Sequence, residues 1–361
     1  MSTKVSFTDL QSQYQEAKSD IDSAIQEILN TNSFITGPVV DEFEQKLMDY
    51  TGAEACASCG SGTTALQIAL KACNIGHGDE VITVAHTFVS TTESIVNVGG
   101  TPVFCDIDDY YQMDIEQIEN LITDKTKAIL WVDLYGQSPD IDRIKQIASK
   151  HELYTIEDSA QSFGYVYKDK MLGTHADITC FSFNPVKNLG AIGDAGCVMG
   201  KTDLVNSARM FRDHGRREKF TYETVGYNCR IDNIQARVVQ AKLPYLKSWL
   251  DRKHKIAEYY TTGLQQYYKT PQESTWGKHT YYVYVLQHEH RDRIRDALQE
   301  RGIQTNIHYP NPTHMTPAFR PWAKTLNTTE KISSKIFSIP CYHSLTDNQV
   351  EYVVDTLKEF K

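Results

Sequence analysis

The sequence predicts an α/β protein: a mostly parallel central sheet flanked by helices, followed by a smaller α+β unit. Two observations carry this. Between residues 80 and 185, short apolar runs alternate with amphipathic stretches, the pattern of βαβ units. After about residue 235 the spacing turns largely helical, with one strand-like run inside it. The expected division is 1–235 for the large unit and 236–361 for the smaller one.

In chain order, Val40, Phe43, Leu47 and Tyr50 fall on one helical face, and Gly52 supplies the stop. Gly60-Ser61-Gly62 forms a turn opening a helix that carries Leu66, Ile68, Ala69 and Leu70. Apolar runs at 81–84, 102–105, 128–132, 153–156 and 178–183 read as strands. Ile115, Ile118 and Leu121 keep helical spacing between two of them. Beyond 235 come a helical stretch over 234–268, a strand at 281–286, a helix at 291–301 and a terminal helix after Thr346.

The chain has 361 residues, 40% hydrophobic and 23% charged, as a globular protein does. A net charge of −9 argues against nucleic acid or an anionic membrane as partner. No apolar run is long enough to span a bilayer, and the first 20 residues lack an apolar signal core, so a cytoplasmic protein is expected. Eight cysteines lie mostly in apolar runs and read as free, reduced, buried thiols. Cys56 and Cys59 form a C-x-x-C with no second pair, and no metal site is expected. The tyrosine pairs at 259–260, 267–268 and 281–282 read as packing residues, and Arg237 as part of a solvated helix face.

In parallel sheets, ligands sit at the carboxyl ends of the strands. Here those ends lead to His86, Thr87 and Phe88, to Asp158 and Gln161, and to Ser182 and Lys187. Gly60-Ser61-Gly62-Thr63-Thr64-Ala65 has the G-x-G-x-x-A form, whose small residues and helix N-terminus favour a phosphate. As a dinucleotide fingerprint it fails on position, because Glu80 precedes the next strand instead of ending it. Lys187 lies between an apolar strand and Gly190, Gly193 and Gly196, which permit tight turns. Desolvation there disfavours the ammonium, and a neutral amine forms Schiff bases with carbonyls. Asp158 suits a protonated pyridine nitrogen, and Phe88 offers a flat face to an aromatic ring. Together these are the parts of a pyridoxal phosphate (PLP) site.

The order of blocks is more specific than any one part. FITGP (34–38), GTTAL (62–66), HTFVST (86–91), TPVFCDID (101–108), EDSAQSFG (157–164), FSFNPVKNLGAIGDAG (181–196), GYNCRIDNIQA (226–236), IHYPNPTH (307–314) and SIPCYHSLT (338–346) follow one another. In these blocks the chain resembles the DegT/DnrJ/EryC1/StrS family of PLP-dependent nucleotide-sugar aminotransferases, of the aspartate aminotransferase fold type I. The resemblance implies that Lys187 holds the cofactor as a Schiff base and moves the proton. It implies that Asp158 binds the pyridine nitrogen, Phe88 stacks on the ring and Gln161 bonds near the ring hydroxyl. Gly62, Thr63, Thr64 and Ser182 would hold the phosphate. Asn228 would reach the phosphate of the neighbouring subunit in an obligate homodimer with shared sites.

Relatives in which histidine replaces the lysine act as dehydratases; Lys187 therefore favours transamination. The resemblance implies L-glutamate as donor, pyridoxamine phosphate as the aminated form, and a nucleotide-linked keto sugar as acceptor. GYNCRID, with Asp232, and IHYPNP resemble the group acting at C3, where Arg230, His308 and Tyr309 would meet the sugar nucleotide. A UDP-linked 2-acetamido-3-keto-glucuronate or a dTDP-linked 3-keto-6-deoxyhexose, on the way to a bacterial surface polysaccharide, is the expected acceptor. The alternatives are a 4-keto-6-deoxy sugar acceptor, an NAD-linked oxidoreductase, and a non-catalytic sensor on the same fold.

Overall fold

The computed structural model describes residues 4–360. Its centre is a seven-stranded sheet of β1 (Ala55–Cys59), β2 (Glu80–Val84), β3 (Thr101–Cys105), β4 (Thr126–Val132), β5 (Tyr154–Asp158), β6 (Ile178–Ser182) and β7 (Gly196–Gly200), in the order β1-β7-β6-β5-β4-β2-β3. From β3 to β6 every pairing is parallel. Connections holding helices such as Val89–Asn97 and Ile141–Lys150 allow this, because parallel neighbours need long crossovers. The link between β6 and β7 is a loop without a helix, and β7 returns antiparallel beside β6 and pairs antiparallel with β1 on its other edge. That return loop carries Lys187.

The strands are buried almost throughout, as expected of a sheet covered on both faces. β5 extends to Asp158, so this carboxylate belongs to the last strand residue and not to the loop after it. The helix Pro38–Thr51 starts with proline at its first turn and ends at Gly52 with φ of 78°, a left-handed stop that glycine adopts without strain. The helical stretch after 233 is broken at Leu243–Tyr245, where Pro244 removes a backbone donor, into Asn233–Lys242 and Leu246–Leu264.

A second core forms around Ile256, Tyr260, Leu264, Tyr268, Tyr284, Phe337 and Val353. There β8 (Tyr284–Gln287) pairs antiparallel with β9 (Ile336–Ile339), and the helices Leu246–Leu264, Arg291–Glu300 and Asp347–Lys358 pack around them. Tyr260, Tyr268 and Tyr281 are buried in this core, while Tyr259 is half exposed. All eight cysteines are buried and free. Among the described residues, no helix is long and apolar enough to cross a membrane.

Arg237 departs from the expected solvated face. Its guanidinium is largely buried and pairs with Glu27 at 2.9 Å and Glu42 at 2.7 Å, tying three helices together. The i,i+4 neighbours of Asn233 face those helices, which the local pattern does not reveal.

Glu44 joins the helix Pro38–Thr51 to the sheet. Its carboxylate accepts from Ser58 N at 2.8 Å, from Arg209 at 2.6 Å and from Arg212 at 2.5 Å. Burial alone would raise this carboxyl, but the two guanidinium groups and the Ser58 N–H more than offset burial and hold it below the ordinary range. Glu44→Ala would leave the mostly buried Arg212 without its counter-charge. A loss of about 3–5 kcal/mol is expected in urea unfolding. In the parent protein the Glu44 contribution is present above the unfolded carboxylate range and is lost as pH falls through the lower folded value. The acid-side slope of stability against pH should therefore flatten in the variant.

Candidate active site

The helix Gly62–Ala72 begins at the carboxyl end of the sheet. Ser61 caps it: its Oγ accepts from Thr64 N at 3.1 Å, and Thr64 Oγ1 accepts from Ser61 N at 3.0 Å. This capping box leaves the first-turn N–H groups pointing out of the helix, with its positive dipole end behind them. Gly62 is there because of contact: a Cβ would lie 2.7 Å from Ser182 Cβ. Thr63 Oγ1 meets Ser90 Oγ at 2.7 Å, and Ser182 Oγ accepts from Asn184 N at 3.3 Å.

Asp158 is buried. Its carboxylate accepts from Thr91 Oγ1 at 2.7 Å and Ala160 N at 3.2 Å. Burial raises its pKa, offset in part by these donors and by Lys187. Lys187 follows the turn made by its N–H to Asn184 O at 2.9 Å, and its Nζ stands 4.7 Å from the centre of the Tyr282 ring. Burial pulls its ammonium down to about 8, against the opposing pull of Asp158. Tyr282 comes from the C-terminal segment and is held by its N–H to Tyr135 O at 2.8 Å.

Gly190, Gly193 and Gly196 are needed for close approach and not for left-handed turns. A Cβ on each would meet Pro185 O at 2.5 Å, Gln235 Nε2 at 2.7 Å and the Ser61 carbonyl carbon at 2.6 Å, respectively. The loop carrying Lys187 is thus pressed against its own start, against the helix Asn233–Lys242 and against the turn before Gly62.

These groups face one cavity of about 570 Å³. Gly62, Thr63, Phe88, Asp158, Gln161, Ser182, Lys187, His308 and Tyr309 all line it. Phe88 is half exposed with its ring 5.9 Å from that of Tyr309. Gln161 accepts from Tyr135 N at 2.8 Å and donates to Tyr309 OH at 2.9 Å. His308 shares a 2.8 Å bond with Ser338 Oγ, and burial, then Lys187, lowers its pKa to about 4, so it is neutral at pH 7. Three expected residues lie elsewhere. The Thr64 hydroxyl is used up in the capping box, which leaves Thr63 as the threonine of this pair in the cavity wall. Asn228 is exposed, bridged by backbone to Asp213. Arg230 pairs with Asp213 in a separate basic cavity with Arg209, Arg212, Arg216, Arg217 and Lys219.

Residues 15–358 match the family model described as the DegT/DnrJ/EryC1/StrS aminotransferase family. The chain belongs to this family. It is 37% identical over 99% of its length, and 98% of the relative's, to a pleiotropic regulatory protein of Geobacillus stearothermophilus. It is 36% identical to the UDP-2-acetamido-2-deoxy-3-oxo-D-glucuronate aminotransferase of Pseudomonas aeruginosa, with 98% of this chain and 99% of that one covered. Its fold matches that of NtdA from Bacillus subtilis, solved with bound cofactor PMP, at TM-score 0.93 and 32% identity over 99% of this chain and 85% of that one.

Sequence reasoning did not assign roles to Thr91, Ser90, Tyr282 and Asn306. Thr91 and Ser90 lie inside the HTFVST block, and a hydroxyl in the first turn after a strand end was the available signal. Tyr282 and Asn306 come from the far segment of the chain, which local spacing does not connect to Lys187.

The Lys187 amine should show its lowered pKa directly. Reductive trapping with an added aldehyde, read by peptide mass spectrometry against pH, should rise at Lys187 with a midpoint about 8, well below surface lysines. In Asp158→Asn the anion that favours the ammonium is gone, so the midpoint should fall further. A midpoint near the ordinary lysine value, or an upward move in the variant, would contradict this electrostatic account.

Proposed function

We propose that this family member is a PLP-dependent aminotransferase that moves an amino group from L-glutamate to a nucleotide-diphosphate-linked 3-keto sugar. The observation that carries the proposal is the cavity joining a buried amine of lowered pKa, a buried carboxylate and a helix N-terminus. The residues fit the cofactor. Asp158 is a buried anion whose protein donors are a hydroxyl and an N–H, and it suits a pyridinium N–H. Gly62, Thr63 and Ser182 at the helix start suit a phosphate. Phe88 presents a half-exposed ring to the same space.

When bound, the cofactor supplies the electron sink for α-proton removal. Lys187 provides the amine that holds it and, once free, the base and acid that carry the proton. Asp158 keeps the ring nitrogen protonated, and Thr91 and Ala160 hold the Asp158 carboxylate in place. Gln161 would lie near the ring hydroxyl, and its amide orients Tyr309. Neutral His308 and Tyr309 border the space for the acceptor sugar. The 3-oxo sugar in the name of the Pseudomonas relative supports amination at C3, and a uronate or deoxyhexose bound for surface polysaccharide is the acceptor proposed. The intact Lys187 and Asp158 favour catalysis over a regulatory role on the same fold.

The proposal includes a cytoplasmic homodimer, with the chain divided at about residue 235. Asn228 and Arg230 stand outside the Lys187 cavity of their own chain. Exposed Phe34, Ile35, Phe220, Tyr222 and Val225 offer an apolar face for a second copy. Asn228 would then reach the phosphate in the partner's site and Arg230 its sugar nucleotide.

The purified protein should bind PLP with a visible absorption band that L-glutamate abolishes and a 3-keto sugar nucleotide restores; Lys187→Ala should lack both changes. A band that no amino donor moves would remove the transaminase reading. Shared sites make a second expectation. Mixed and re-equilibrated subunits of Lys187→Ala and Asn228→Ala should regain about a quarter of wild-type sites, since half of the dimers would hold one intact site of two. No regain would place Asn228 outside the partner's site.

A further inference from the structure

A second cavity, of about 310 Å³, shares Lys187, Tyr282, Asn306 and His308 with the first. Its remaining walls come from Phe7–Leu10 in the N-terminal segment, from the helix Leu246–Leu264 and from residues 339–343 after β9. Lys253, on that helix, lines it and is only 7% exposed. Its Nζ donates to Asn188 Oδ1 at 2.8 Å. Asn188 follows Lys187 in the chain.

A lysine ammonium has three donors, and buried charges are normally paired. Among the described residues Lys253 has no ion pair. The carboxylate lining this wall, Asp9, already accepts from Ser12 N at 2.9 Å and Ser12 Oγ at 2.5 Å as the cap of its own helix. Glu16 serves His343 at 3.1 Å and Trp249 Nε1 at 2.9 Å. A buried cation facing a cavity, with one neutral partner, is half of a binding site whose other half is an anion.

We propose that this cavity is the amino-donor subsite, and that Lys253 with Asn188 binds a carboxylate of the donor. The inference rests on the transaminase reading. The cavity is at the small end of ligand pockets, about 300–1,000 Å³, and presents one buried cation, Lys253, besides the Lys187 amine. That suits a compact amino acid better than a sugar nucleotide, whose diphosphate calls for several cations. Its shared wall at Lys187 brings the donor to the amine where exchange occurs.

The test uses Lys253→Met holoenzyme, glutarate as a non-reacting dicarboxylate, and L-glutamate. By calorimetry the variant should bind glutarate about 10- to 100-fold more weakly, the value of losing a charge-assisted hydrogen bond. The L-glutamate concentration that half-abolishes the cofactor band should rise by a similar factor. The keto-sugar half-reaction should change less than about twofold. The ligand-free variant should melt no lower than wild type, because an unpaired buried charge has been removed. Unchanged glutarate and L-glutamate dependence would overturn the proposal. So would equal losses in both half-reactions with a lowered melting temperature, the mark of a merely structural lysine. If glutarate binds through Lys253 while L-glutamate leaves the band of the wild type unmoved, the transaminase reading falls and the carboxylate site stands.

Discussion

The close approach of the turn before Gly62 to the ends of β6 and β7 sets the geometry on which the site depends. A single methyl group on Gly62 or Gly196 would collide with Ser182 or with the Ser61 carbonyl. Because none is present, a helix start, a strand-end hydroxyl and the loop bearing Lys187 meet at one point. Interiors pack at crystal-like density, so such a contact does not stretch to admit an added atom. The helix start proposed to hold a phosphate and the Lys187 amine are positioned by the same few contacts.

The sheet's topology does the rest. Five neighbouring strands run parallel into this edge, and each delivers its next residues to the same side. The one reversal is at β7, which β6 reaches through a loop without a helix. That link is where the chain can afford an excursion, and it is the excursion that holds Lys187. Tyr282, anchored on Tyr135, closes the cavity from the C-terminal part of the chain.

Much of this was legible in the sequence because it is local. Strand ends, the helix-opening glycine turn and the lysine after an apolar run all announce themselves within a few residues. The blocks that resemble the family extended that reading to His308 and Tyr309 and assigned Gln161 its place near the ring hydroxyl. What stayed hidden depends on distant partners. Thr64 looked like a phosphate donor, but its hydroxyl closes a capping box with Ser61. Arg237 looked solvated, but Glu27 and Glu42 come from helices about 200 residues earlier. The glycines after Lys187 looked like turn-formers, and three-dimensional contact is what excludes a side chain there. Lys253 has no local mark at all, since a lysine on an amphipathic helix ordinarily faces water.

An aldehyde cofactor also adds thiols, and this chain keeps several thiols near the helix start. Burial pushes Cys59 up to about 12 and Cys229 to about 11, and raises Cys180 well above the ordinary thiol range. The thiolate is the reactive form, and at neutral pH these sulfurs hold almost none of it. The same burial that suppresses the sulfurs brings the Lys187 amine within reach of its neutral form. One physical cause, exclusion of water, thus suppresses the thiolates and favours the neutral Lys187 amine. The fold confers chemical selectivity before any substrate arrives.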